Sequence, residues 1–274
     1  MANSPWISVG ALAEGFRPDS NSLNETRDLD GRSIGLRFVD GETVEYRFIR
    51  DKNNGSIELP GTGRYSARIT SLRSGICFID FLPSDRPRSS MTLLLDLETG
   101  SALEITTTLP TEPDVARSLF ARVRNGESLT PVDIRFRPAI LHPAPTGTAA
   151  PTPGFPITDE LIGHRIRYRY SPTELYEHIY LNPNFYTWHC LSGVEAGLGD
   201  TDRCHYFKLR DRLYLFIWLE KIVPTLGIVT VDLDSLRTDG KILGYADNGF
   251  ETLVNFPIGA LAMPATFTPA PETV

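Results

Sequence analysis

Residues 161–180 read LIGHRIRYRYSPTELYEHIY, and residues 29–48, LDGRSIGLRFVDGETVEYRF, lie over them without a gap. Leu29/Leu161, Gly31/Gly163, Ile34/Ile166, Arg37/Arg169, Glu42/Glu174 and Glu45/Glu177 coincide. Within the later copy, Arg165, Arg167 and Arg169 share one parity, and His164, Ile166, Tyr168 and Tyr170 the other. Side chains alternate across a strand, so charges on one side and rings on the other describe a half-buried β-strand. Farther on, residues 77–98 (CFIDFLPSDRPRSSMTLLLDLE) lie over 213–234 (LYLFIWLEKIVPTLGIVTVDLD), sharing Asp96/Asp232 and Leu97/Leu233. The matching order implies a tandem duplication of an antiparallel unit of roughly 120 residues.

The surroundings fit. Strand-like runs cover Ser33–Val39, Thr43–Arg50, Ser56–Leu59, Tyr65–Leu72, Ile76–Leu82, Met91–Asp96 and Ala102–Thr108, with Asp40-Gly41, Asn53-Asn54-Gly55 and Arg73-Ser74-Gly75 between them as turns. A short helical turn is expected near Val9–Phe16, and Asp114–Arg124 reads as one helix with Val115, Leu119, Phe120 and Val123 on its apolar face. His142–Pro156 holds five prolines and reads as a semi-extended linker. Beyond it strands are expected at Ile166–Tyr170, Leu175–Leu181, Phe185–Leu191, Cys204–Leu209, Leu213–Leu219, Leu226–Asp232 and Lys241–Tyr245, with Pro264–Val274 as a frayed tail. About seven or eight strands per copy suffice to close a small barrel, which removes sheet edges and leaves room for one small ligand. The expected layout is an N-terminal barrel over 1–141, a linker over 142–156 and a C-terminal barrel over 157–274; one larger barrel or sandwich built from both halves is the alternative.

The 274 residues carry a net charge of −7, which disfavours nucleic acid and anionic membrane surfaces as partners. No apolar run reaches the ~20 residues of a membrane span, and the N-terminus lacks the charged and apolar regions of a secretory signal. Cys77, Cys190 and Cys204 form an odd, sparse set, expected as reduced core thiols. The chain is accordingly expected in the cytoplasm, with a homodimer as a possible assembly. No Gly-x-Gly-x-x-Gly opening a helix, P-loop, Gly-x-Ser-x-Gly or zinc-ligand pair is present, so no cofactor and no metal are expected.

Reactive side chains are distributed unequally. Eight of the ten tyrosines and four of the five histidines follow the linker. Tyr168 and Tyr170 stand where the first copy has Leu36 and Phe38, so two apolar residues are exchanged for phenols that need partners. Tyr214, Phe216, Trp218 and Glu220 share one side of their strand, and Glu220 matches Ser84 of the first copy. A carboxyl among rings loses solvation of its charged form, which raises its pKa and prepares a general acid. Glu220, Tyr168 and Tyr170 are therefore the candidate catalytic residues. Tyr176, His178, Trp188, Tyr206 and Trp218 are candidate ligand-binding residues. His178, His189 and His205 come from three strands, but no His-x-His or Cys-x-x-Cys spacing supports a metal site.

The stretch from Leu175 to Leu198 (LYEHIYLNPNFYTWHCLSGVEAGL), continued through residues 200–209 and 212–245, resembles the C-terminal domain of the MoaF family, named molybdenum cofactor biosynthesis protein F. The resemblance runs over roughly residues 157–262, and the first half resembles the family's more divergent N-terminal domain. The later half is also similar to the phenolic acid decarboxylases, single calycin (lipocalin-like) barrels that need no cofactor. Ile162-Gly163, Tyr168 and Tyr170, Tyr176-Glu177, Ser192-Gly193, Ala196-Gly197, and Trp218 and Glu220 follow that family's order at nearly its spacing. The resemblance implies an all-β chain of two tandem calycin-like barrels, in which a tyrosine pair binds a carboxylate and a glutamate moves a proton. Those enzymes also use an arginine after the Ala-Gly; here that position is Leu198, and Arg203 is a candidate substitute for ligand binding.

Three functions follow as expectations. The first is a cofactor-free lyase or isomerase acting on a small aromatic or conjugated substrate in the C-terminal barrel. The second is a carrier of a small hydrophobic or aromatic ligand. The third is an accessory protein in molybdenum-cofactor or amine metabolism. The first copy is expected to be structural.

Overall fold

A computed structural model describes residues 6–51, 54–59, 61–146 and 150–268. In chain order the elements are α1 (Val9–Phe16), β1 (Ser33–Phe38), β2 (Thr43–Asp51), β3 (Asn54–Leu59), β4 (Gly63–Thr70), β5 (Ile76–Phe81), β6 (Ser89–Asp96), β7 (Ser101–Thr108), α2 (Glu112–Ala116), α3 (Leu119–Arg124) and β8 (Asp133–His142). After the linker come β9 (His164–Arg169), β10 (Leu175–Asn182), β11 (Phe185–Ser192), β12 (Gly199–Arg210), β13 (Leu213–Leu219), β14 (Leu226–Asp232), β15 (Arg237–Tyr245) and β16 (Leu253–Phe267).

The strands form two closed, eight-stranded antiparallel barrels. In the first, each strand pairs with the next and β1 closes on β8, from Gly35↔His142 to Phe38↔Ala139. In the second, β9 closes on β16, from Leu261↔Arg169 to Phe267↔His164. The repeated pattern thus yields the same closure twice. Inward residues obey strand parity: along β9 only Ile166 and Tyr168 are buried, while the arginines between them face outward. The first barrel fills with Leu36, Phe48, Ile57, Ile79 and Leu93. Buried Tyr46 Oη donates to Glu104 at 2.6 Å, and Arg137 stands 3.3 Å from the same carboxylate and balances its charge.

Contacts divide the chain into two units that interleave in sequence. Leu23–Thr108 and Asp133–Pro156 make up the first barrel's unit. The second barrel's unit takes in Ile157 onward together with α1 and Leu109–Val132, although both of these segments precede the linker. α1 is amphipathic, with Val9, Leu12, Ala13 and Phe16 buried at helical spacing. Ser8 caps it by accepting from the Ala11 N–H at 3.3 Å.

Several expectations need correction. Each barrel has an eighth strand, β8 and β16, where none was read. Both contain proline, which removes a ladder donor and hides the strand pattern. The tail expected to fray from Pro264 continues in β16 to Phe267, and residues 269–274 lie outside the described residues. The helix expected over Asp114–Arg124 is two short ones, because Arg117 is extended (ψ 125°) and Ser118 caps a new start. The apolar face expected to bury does not: Phe120 and Val123 are exposed. In the linker, Ser101 Oγ donates to the Thr152 carbonyl and Phe155 is buried, so its later part packs on the first barrel. Cys77, Cys190 and Cys204 are buried and free. Among the described residues no helix is long and apolar enough to cross a membrane.

Candidate functional site

The second barrel holds a small, partly open cavity of about 30 Å³. β10 contributes Tyr176 and His178, β11 Tyr186 and Trp188, and β13 Trp218 with Glu220 just past its end. Tyr170 follows β9, Ile242 comes from β15, and Leu12 and Phe16 of α1 close the ring. The Phe16 ring lies 4.9 Å from that of Tyr170 and 5.5 Å from that of Tyr176. Two glycines allow this. A Cβ on Gly15 would stand 2.5 Å from the Val194 side chain, so only glycine lets the helix settle over the loop after β11. Gly193, at φ +132°, leaves room for the buried carboxylate of Glu174, which accepts from Val194 N–H at 3.2 Å. That fixes the loop carrying Glu195, the remaining wall of the cavity.

Of the candidate catalytic residues, Tyr170 and Glu220 line the cavity. Tyr168 is buried beside it, its hydroxyl 2.7 Å from that of Tyr180, and is not a wall residue. Of the candidate ligand-binding residues, Tyr176, His178, Trp188 and Trp218 are walls. Tyr206 belongs to the packed interior, stacked on Phe216 at 5.5 Å and accepting from the Cys204 thiol. Arg203 falls on the opposite parity of β12 from buried Asp202 and Cys204, and its guanidinium lies 5.9 Å from the Phe185 ring. Leu198 packs against the apolar core, so no cation occupies the wall. His189 is exposed and His205 has outward parity, so neither joins His178. Among the described residues no three His, Cys, Asp or Glu side chains converge as metal ligands.

Sequence reasoning missed Glu195 and Tyr186 as wall residues, and it placed the helix at Val9–Phe16 without its packing onto the second barrel. Glu195 lies inside the Ser-Gly-x-x-Ala-Gly segment, whose constant positions drew attention away from its variable ones. Tyr186 was legible, two residues from Trp188 on the same strand face. The position of α1 left no local signal.

The electrostatics are unusual for a barrel interior. Burial pushes the Glu220 carboxyl well above the usual range, and nearby Asp202 and Glu195 add to this. Trp218 Nε1–H donates to Glu220 at 3.0 Å and opposes the shift. No Lys or Arg among the described residues reaches Glu220 within salt-bridge distance. Lys221, the neighbour in sequence, pairs instead with Asp200 at 2.6 Å and Asp202 at 3.2 Å. Glu195 is also raised, chiefly by burial, and accepts from Tyr176 Oη at 3.0 Å. Burial holds Tyr170 and Tyr186 far above the ordinary phenol range, so both remain donors. Neither hydroxyl makes a hydrogen bond within the described residues. His178 is driven down to about 3 by burial, so its imidazole is neutral, and its Nδ1 has no partner. A carboxyl of raised proton affinity, unbonded phenols and a neutral imidazole around one cavity can hold and move a proton.

The MoaF C-terminal domain family matches residues 155–267, and the MoaF N-terminal domain family matches residues 4–111. A curated relative, Protein MoaF of Klebsiella aerogenes, is 46% identical over 259 residues, covering 94% of each chain. A crystal structure from Burkholderia vietnamiensis, provisionally described as a beta-lactamase, shares 10% identity over 38% of this chain and 95% of its own, at a TM-score of 0.33. The family matches cover both halves, and the relative extends over nearly the whole length: the chain belongs to the MoaF family.

Proposed function

We propose that the second barrel is a cofactor-independent acid–base enzyme, of the lyase or isomerase type, acting on a small aromatic or conjugated molecule. One observation carries this reading: Glu220, whose carboxyl favours its protonated form, lines the same cavity as the unbonded phenols of Tyr170 and Tyr186. A general acid works best with a pKa near the operating pH, and a buried glutamate raised toward neutrality meets that need. Glu220 gives its proton to a carbon of the conjugated substrate and recovers one as the product forms. Tyr170 and Tyr186 donate hydrogen bonds to the substrate oxygen where negative charge develops. The rings of Phe16, Trp188 and Trp218 exclude water from the exchange. Tyr168 serves as a positioning residue, tied to Tyr180 and packed 6.4 Å from the Tyr170 ring.

The test is carbon-bound hydrogen exchange. The full chain is incubated in D₂O with a panel of one-ring aromatic and enoic compounds, and deuterium incorporation or product is read by NMR. Exchange that is lost in Glu220→Gln and reduced in Tyr170→Phe, with binding retained, supports the reading. Binding without exchange by any compound favours a carrier instead.

A further inference from the structure

We propose that this cavity selects an organic cation: a one-ring molecule bearing an ammonium group, seated among the Trp and Tyr rings against the carboxyls of Glu195 and Glu220. The inference rests on the reading above only in taking the cavity as the ligand site.

The wall composition points to it. Six aromatic side chains and two glutamates line the space, and no Lys or Arg does. Cations are attracted to the faces of Trp and Tyr rings, and aromatic cages are a recurrent means of holding ammonium groups. The two carboxyls arise from different elements, the end of β13 and the loop after β11. Each takes one hydrogen bond from a neutral donor, Trp218 or Tyr176, and its second oxygen accepts none among the described residues. Other buried acids of this unit are matched. Asp202 has Lys221 and the Trp188 N–H, Glu174 has the Val194 N–H, and Glu177 has Arg165 and Arg167 on the outer face.

A carboxylate ligand would find no Lys or Arg in the wall to balance its charge. The decarboxylases that the sequence resembles meet such a group with an arginine, and here Leu198 stands in its place, packed on the core. His178 supplies no positive charge either. It is 4% exposed and uncharged, and its unbonded Nδ1 marks a polar group awaiting a partner. A neutral imidazole nitrogen can accept from an ammonium N–H, as can the free carboxyl oxygens.

Proton linkage supplies a signature. In the empty cavity burial raises the proton affinity of both carboxyls, and the charge of Glu195 raises that of Glu220 further. An ammonium between them favours the ionised forms, so cation binding releases protons, whereas a neutral isostere releases none. Trp188-bound Asp202, already paired with Lys221, contributes little to this exchange.

The experiment is calorimetry on the full chain at neutral pH, in two buffers of different ionisation heat, with 2-phenylethylammonium, 2-phenylethanol and 3-phenylpropanoate as probes. The expected result is ammonium binding about tenfold or more tighter than the alcohol, with proton release and no measurable binding of the propanoate. Glu195→Gln is expected to weaken the ammonium about tenfold while changing the alcohol little. Should that variant fail to fold, proton release by the wild type remains the readout. An alcohol or propanoate that binds as tightly as the ammonium, an ammonium that does not bind, or binding without proton release overturns the proposal. Carbon exchange is read separately. Propanoate preference with exchange intact removes this inference alone, and cation preference without exchange removes only the enzymatic reading.

Discussion

The indole N–H of Trp218 donates to Oε1 of Glu220 at 3.0 Å, from two residues earlier on the same strand face. It is the one hydrogen bond that draws the proton affinity of Glu220 down, against burial and the charges of Asp202, Glu195 and Asp200. Trp218→Phe keeps a ring in place and removes that donor. The Glu220 pKa is then expected to rise further, because the hydrogen bond that favours its ionised form is gone. The alkaline limb of the pH profile for exchange shifts upward accordingly. An unchanged profile would mean that the indole does not control the proton.

Glu220 also governs stability on the alkaline side. Its folded pKa is raised, so the folded chain binds more protons than the unfolded chain above the ordinary glutamate range. Stability therefore falls as pH rises from that range through the folded pKa. Glu220→Gln removes this loss. Its melting temperature should exceed that of wild type at alkaline pH, by about 2–4 °C per kcal/mol recovered, with the gain shrinking toward pH 5. Thermal melts across pH decide the matter, and a variant destabilised at all pH values contradicts the prediction.

Glu177 acts in the opposite sense. Arg165 and Arg167 hold its carboxyl below the usual range, although it is only 1% exposed. A depressed folded pKa contributes stability above the unfolded value and loses it as pH falls through the folded one. Because both arginines are about half exposed, the contribution is about 1 kcal/mol or less. Glu177→Gln should lower stability at neutral pH and make little difference in acid, measured by denaturant melts at the two pH values.

Phe16 closes the cavity from α1, with ring contacts to Tyr170, Tyr176 and Phe256. Phe16→Ala opens that wall. A loss of about 3 kcal/mol in stability is expected, together with faster ligand dissociation at little change in association rate. Stopped-flow tryptophan fluorescence reports both rates, since Trp188 and Trp218 line the same space. Unchanged dissociation would show that α1 does not hold the ligand.

Much of this was legible. The duplication follows from the superposition of 29–48 on 161–180, because a strand hairpin leaves its alternation and its turn glycines in the sequence. The inward direction of Tyr170, Tyr176, His178 and Trp218 follows from parity and from the arginines on the other face. Parity does not tell how deep a side chain lies along the barrel axis. Tyr168 and Tyr170 share a face, yet one is locked to Tyr180 in the packed interior and the other reaches the cavity. Glu195 sits on a loop whose path depends on a glycine and a buried carboxylate twenty residues away, which no periodicity encodes. The docking of α1 is a contact across some 150 positions, outside any local window.

The central claim is that burial in the cavity raises the proton affinity of Glu220 well above that of an ordinary glutamate. Carbon-13 NMR of chain labelled at the glutamate carboxyl carbon, with Glu220 assigned by the signal missing from Glu220→Gln, measures this directly. The account predicts a carboxyl titrating well above the ordinary value of about 4.3. A Glu220 signal fully ionised by about pH 5 would contradict it.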